Sequence, residues 1–139
     1  MRFRAGSILT VLIAAALSIA TAAWARTFTF RATSIVPGAT GEVEAKTDKT
    51  GHNVALTIKV DRLARPTLLT PRANEYVVWI QPQNGLPHNV GVLRVSDDGK
   101  GDLKTTTQSG HFTVLITAEM SPQPLAHSDR VVMLSDVQQ

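Results

Sequence analysis

The sequence predicts an all-β chain: an antiparallel, immunoglobulin-like β-sandwich of about seven to eight short strands, preceded by an N-terminal apolar segment. Three observations predict it. Apolar residues recur at period two through almost all of residues 26–139. No segment after residue 26 sustains a helical period. Gly, Pro, Asn and Asp punctuate the alternation at short intervals.

In chain order, Thr27-Phe28-Thr29-Phe30-Arg31 alternates, with Phe28 and Phe30 on one face. Gly41 to Lys46 alternates with Val43 and Ala45 inward, and Asp48-Lys49-Thr50-Gly51 is a turn by composition. Val54, Leu56, Ile58 and Val60 then make one apolar face opposite Asn53, Thr57, Lys59 and Asp61, the cleanest half-buried strand in the chain. Leu63 breaks that parity, which predicts a bulge near Arg62. Residues 64–74, with Pro66, Pro71 and Asn74, read as a crossing loop.

Tyr76-Val77-Val78-Trp79-Ile80 is apolar on both faces and reads as a central strand, with Tyr76 and Trp79 on opposite sides. Pro82 to Pro87 is a turn and Val90 to Val95 a strand. Asp97-Asp98-Gly99-Lys100-Gly101-Asp102 reads as a hairpin reversal, because Asp-Gly supplies positive φ. Leu103 to Gln108 is a polar, Thr-rich strand and the expected sheet edge, where proline at Thr105 would block strand addition. Phe112, Val114 and Ile116 face the core, Ser121 to Asp129 is a loop, and Val131 to Leu134 closes the fold. The expected core is Val54, Leu56, Ile58, Val60, Val78, Ile80, Leu93, Phe112, Val114 and Ile116.

Residues 1–25 read as a secretory signal peptide: basic Arg2 and Arg4, an apolar stretch from Ile8, and an Ala23-Trp24-Ala25 exit. The alternative is an uncleaved anchor over residues 8–25. Either way the single domain, 26–139, is expected outside the cytoplasm, periplasmic or secreted. Two of the 14 basic residues lie in the leader, leaving 12 against 11 acidic ones, so no strong basic excess calls for nucleic acid. There is no cysteine, which excludes disulfides, thiol catalysis and a lipid-modified N-terminal cysteine.

Catalytic chemistry finds no local pattern. His127-Ser128-Asp129 places triad residue types side by side, where neighbours on one strand or loop cannot all aim at one point. Asp97, Asp98 and Asp102 miss the calcium-loop spacing, and Gly99-Lys100-Gly101 lacks the rest of a phosphate loop. No cofactor or catalytic residue is expected. The rival class is a periplasmic Cu or Zn site drawn from His52, His88, His111 and His127, with Met120 as a thioether donor. None of these histidines has local ligand spacing, so such a site would have to assemble from distant strand ends.

Tyr76-x-x-Trp79, Gly91-x-Leu93, Asp98-Gly99-x-Gly101-x-Leu103, Thr117-x-Glu119 and Pro122, in that order, resemble the C-terminal extracytoplasmic domain of anti-sigma-K factors over residues 76–134. The resemblance implies an envelope-facing β-sandwich used for sensing or interaction. It brings no catalytic residues, and only about seven residues precede the apolar stretch where that family carries a sigma-binding segment. The expectation is a non-catalytic exported module that binds a protein or a cell-envelope component, by edge-strand pairing at Leu103–Gln108.

Overall fold

Val54, Leu56, Ile58 and Val60 are all buried, while the residues between them are exposed or half-buried. Alternating side chains of a strand point to opposite faces, so this pattern commits one face of the strand to the core. The computed structural model describes residues 24–139 and builds nine strands by such rules. They are β1 (Ala25–Thr29), β2 (Arg31–Ala32), β3 (Thr40–Thr47), β4 (Val54–Asp61), β5 (Glu75–Pro82), β6 (His88–Leu93), β7 (Gly101–Thr107), β8 (His111–Glu119) and β9 (Val131–Gln138). Of the expected leader over residues 1–25, residues 1–23 lie outside the described residues, and Ala25 at its end opens β1 opposite Lys46. No helix among the described residues is long and apolar enough to cross a membrane.

The strands form two antiparallel sheets, ordered β1-β3-β4-β7 and β2-β9-β8-β5-β6. Val43, Leu56 and Ile58 of the first sheet join Val78, Ile80, Val114 and Ile116 of the second in one buried cluster. All ten residues expected in the core are buried. Tyr76 is buried among them and donates its hydroxyl to Ala64 O at 2.6 Å; burial pushes its pKa up to about 12.

The five-stranded sheet is covered on both sides. Val77, Trp79 and Leu115 form a second cluster on its outer face, with Val131 and Leu134 against them. The loop from Met120 to Arg130 lies across part of that face. Asn89 donates to Pro122 O at 2.9 Å, and the His127 ring meets Trp79 edge-on with centroids 5.7 Å apart. Trp79 Nε1–H donates to the buried Thr117 hydroxyl at 2.9 Å, satisfying the one polar atom the indole carries.

Three expectations need correcting. The Asp97–Asp102 reversal is a turn, with Gly99 at φ +83° and Ser96 N–H on Lys100 O, but it is not a hairpin. It carries the chain from β6 in one sheet to β7 in the other. The parity break at Leu63 is not a bulge in the ladder. β4 ends regularly at Asp61, and Arg62 then turns the chain at φ +54°. Phe28 and Phe30 share a face, but they do not share a strand. β1 pairs with β3, the chain passes through buried Phe30, and β2 pairs with β9 in the other sheet.

Candidate functional site

The first two strands determine which edges of the fold stay open. Phe30 N–H bonds to Gly41 O at 2.9 Å, toward β3; Thr33 N–H bonds to Val132 O at 2.9 Å, on the β9 side. One continuous segment therefore hydrogen-bonds the first sheet along one border and the second sheet along the other. Ser135 Oγ donates to Thr29 O, occupying a carbonyl that β1 turns away from β3. The crossing at Phe30 and the Ser135 hydroxyl close the inner end of that side, while Ala25–Thr27 of β1 stays exposed.

The other side is flanked by β6 and β7. β6 is a poor template for an added strand. Its pairing with β5 shifts register between Val78 and Trp79, Gly91 sits at φ +142°, and Gly91 N–H is taken by Asn89 Oδ1. Bulges of this kind bend an edge away from pairing. β7 is different. Its seven residues pair with β4 in unbroken register, from Gly101 opposite Val60 to Thr107 opposite Val54.

Bond parity fixes which β7 groups face outward. Phe30 bonds to Gly41, and Asp48 N–H bonds to Asn53 O at 2.8 Å. In an antiparallel pair, bonded and non-bonded partners alternate. Both bonds put Glu42, Glu44 and Lys46 in bonded pairs with β4, so Val54, Leu56, Ile58 and Val60 turn their backbone groups to β7. Gly101, Leu103, Thr105 and Thr107 receive those bonds. Asp102, Lys104 and Thr106 direct theirs to the free edge, with exposed side chains. The expected edge strand is thus an edge, but Thr105 is the wrong place for a blocking proline: its N–H serves Leu56.

The four histidines fall on separate segments. His52 is exposed in the β3–β4 turn, His88 opens β6, and His111 opens β8 opposite Gln138. His127 lies in the β8–β9 loop, with Nδ1 2.7 Å from Ser128 O and its ring against Trp79. Among the described residues no group of three or more His, Asp or Glu side chains is placed to hold a metal ion. Met120 is largely exposed. His127, Ser128 and Asp129 do not form a relay: Ser128 Oγ donates to Ala118 O and accepts from Arg130 N–H, and its own N–H donates to buried Glu119.

Two shifted carboxyls serve turns. The Asn53 side-chain amide, then the Thr50 hydroxyl, hold Asp48 well below the usual carboxylate range. The Ser96 hydroxyl lowers the pKa of Asp98. A depressed folded-state pKa gives stability that is present above the unfolded value near about 4 and lost as pH falls below it. Asp48→Asn should therefore flatten the acid limb. Between pH about 5 and about 2, its urea midpoint is expected to fall less than that of the parent chain.

An open groove of about 650 Å³ borders the β7 edge, with Lys59, Arg94 and Lys100 interspersed with Asp61 and Asp102 on its walls. Its charges are mixed, so it singles out neither an anionic nor a cationic ligand. Compared with known proteins, the chain matches no family model and no curated protein.

Proposed function

We propose that this chain is an exported, non-catalytic binding or sensing module of the bacterial cell envelope, an immunoglobulin-like sandwich that takes up an extended segment of a protein partner along β7. The resemblance of residues 76–134 to the extracytoplasmic domain of anti-sigma-K factors supports the envelope setting. The β7 edge carries the reading. It is seven residues long, regular and unpaired on one side, longer than the β1 edge of five residues and the β2 edge of two, and free of the register shift that interrupts β6. Strand addition uses main-chain bonds for affinity and alternate side chains for selectivity.

The test is capture of envelope proteins by the full chain and by Thr106→Pro. Thr106 turns its N–H outward, so proline there removes a bond the partner needs and none that β4 receives. The variant should stay folded and lose capture by about tenfold or more. Undiminished capture by the folded variant would sink the edge reading. Thr105→Pro is the internal control, expected to weaken the fold itself by removing its bond to Leu56.

A further inference from the structure

The two sheets end together on one side of the fold. In the first, Ala25 stands opposite Lys46, Thr47 opposite Val54, and Val54 opposite Thr107. In the second, His111 stands opposite Gln138, and Gln83 N–H bonds to His111 O at 3.1 Å. Polar contacts join the sheets there. Arg26 Nη1 donates to Gln138 O at 3.4 Å, Gln139 Nε2 to Ala45 O at 2.9 Å, and Gln139 N–H to Gly110 O at 2.8 Å. Three connections project from this end: residues 48–53, 83–87 and 108–110.

Each of the three carries or adjoins a histidine. His52 lies in the first, His88 directly follows the second and His111 directly follows the third; all are exposed. The fixed charges around them balance. Arg26, Lys46 and Lys49 are opposed by Asp48, Asp136 and the Gln139 carboxylate, and one row further in Glu44 and Lys104 offset one another across Thr57. The two aspartates already have partners: Asp48 accepts from Thr50 and Asn53, and Asp136 from the Thr113 hydroxyl. Histidine gains charge as pH falls from about 8 to about 5. This end therefore goes from near balance to an excess of up to three positive charges, one for each histidine. The fourth histidine, His127, lies against Trp79 instead.

Among the described residues, the large hydrophobics Trp24 and Leu86 are about four-fifths exposed, and both are at this end. Leu86 stands at a turn between Gly85 and Pro87. The apolar stretch from Ile8 runs to Ala23, and two residues later Ala25 is already paired with Lys46. No linker separates the leader from the sandwich. A leader lodged in a bilayer brings this end to the lipid headgroups and points the Leu68 connection, between β4 and β5, away from them.

We propose that this end of the sandwich docks on an anionic phospholipid bilayer, more tightly as pH falls, with Trp24 and Leu86 at the headgroup boundary and His52, His88 and His111 setting the strength of attachment. Tryptophan favours that boundary, and each positive charge gained beside an anionic surface strengthens attachment by about fivefold. Docking is separate from strand addition: β7 runs from Thr107 at this end toward Gly101 at the other, and its edge stays open.

The test places the full chain in vesicles of phosphatidylcholine alone or of phosphatidylcholine mixed equally with phosphatidylglycerol. The chain has no cysteine, so one introduced thiol carries an environment-sensitive fluorophore. On Asn84→Cys, at an exposed position beside Leu86, the dye should leave water in the mixed vesicles at pH about 5.5 and return at pH about 7.5, the docked-to-free ratio changing about fivefold per histidine. On Leu68→Cys it should stay in water throughout. Replacing His52, His88 and His111 together by Gln should abolish the pH response while the β-sheet circular dichroism is unchanged. Lys49→Glu should weaken docking at both pH values. Thr106→Pro should dock like the parent chain, so docking and strand addition fail separately. A dye on Asn84→Cys that stays in water in the mixed vesicles at low pH, an equal response in phosphatidylcholine alone, a pH response that survives in the triple variant, or burial of the dye on Leu68→Cys instead would overturn the proposal.

Discussion

Trp79→Ala is expected to destabilise the domain by about 3–5 kcal/mol, the usual cost of emptying a buried aromatic site. Trp79 is 3% exposed. It is the largest side chain of the outer cluster, and the Met120–Arg130 loop rests on it through His127. The void would open on the side the loop covers, so the loop should loosen as well as the strand. Trp79→Phe separates the two contributions. It keeps part of the apolar contact and removes the bond to Thr117 together with the second ring, so it should cost about 1–3 kcal/mol. Urea unfolding of both variants checks the difference, and limited proteolysis within residues 120–130 should accelerate more for the alanine variant. Equal losses in the two would show that the indole N–H and second ring, which phenylalanine lacks, carry the stabilisation at this site.

Leu56→Ala should cost about 2–5 kcal/mol, toward the upper end. Leu56 is fully buried at the centre of β4 and is flanked in register by Ala45 on one side and Thr105 on the other. Neither neighbour is large enough to swing into the space. A lower urea midpoint with an unchanged slope would place the effect in the folded state. Leu56 and Trp79 lie in different clusters, on different sheets, so the two alanine losses should add to within about 0.5 kcal/mol. A shortfall well beyond that would mean the sheets respond to one another through the core.

β4 was legible because every relevant force acts locally along it. Alternation from Val54 to Val60 states which face is buried, and no other residues are needed to read it. β5 was legible for the same reason, since a run apolar on both faces requires cover on both. The Thr-rich composition of β7 marked an edge, but composition does not say which N–H groups face outward. That required the parity of bonds two strands away, at Gly41 and Asn53. The chain's passage at Phe30 was not legible at all. Phe28 and Phe30 keep the same alternation across the change of sheet, because parity records a face and not a partner. The 97–102 turn was read correctly as a turn and wrongly as a hairpin. Asp-Gly chemistry fixes local φ, while sheet membership depends on residues far along the chain. His127 was weighed as a ligand from its residue type; its contact with Trp79 depends on where a proline-containing loop lies, and no local spacing encodes that.

The passage at Phe30 also sets how the domain bears load. Tension drawn on the N-terminal side of Ala25 meets β1 at its open end, where the bonds to β3 break one pair after another. Peeling of that kind resists weakly and stops at Phe30, whose side chain is buried in the core and whose N–H holds Gly41. Beyond it the same segment is bound to β9, so further extension must dislodge the second sheet as well. A short, compliant run followed by a firm stop gives the molecule a built-in extension limit of a few residues, with the β7 edge on the far side of the fold left out of the path of the force.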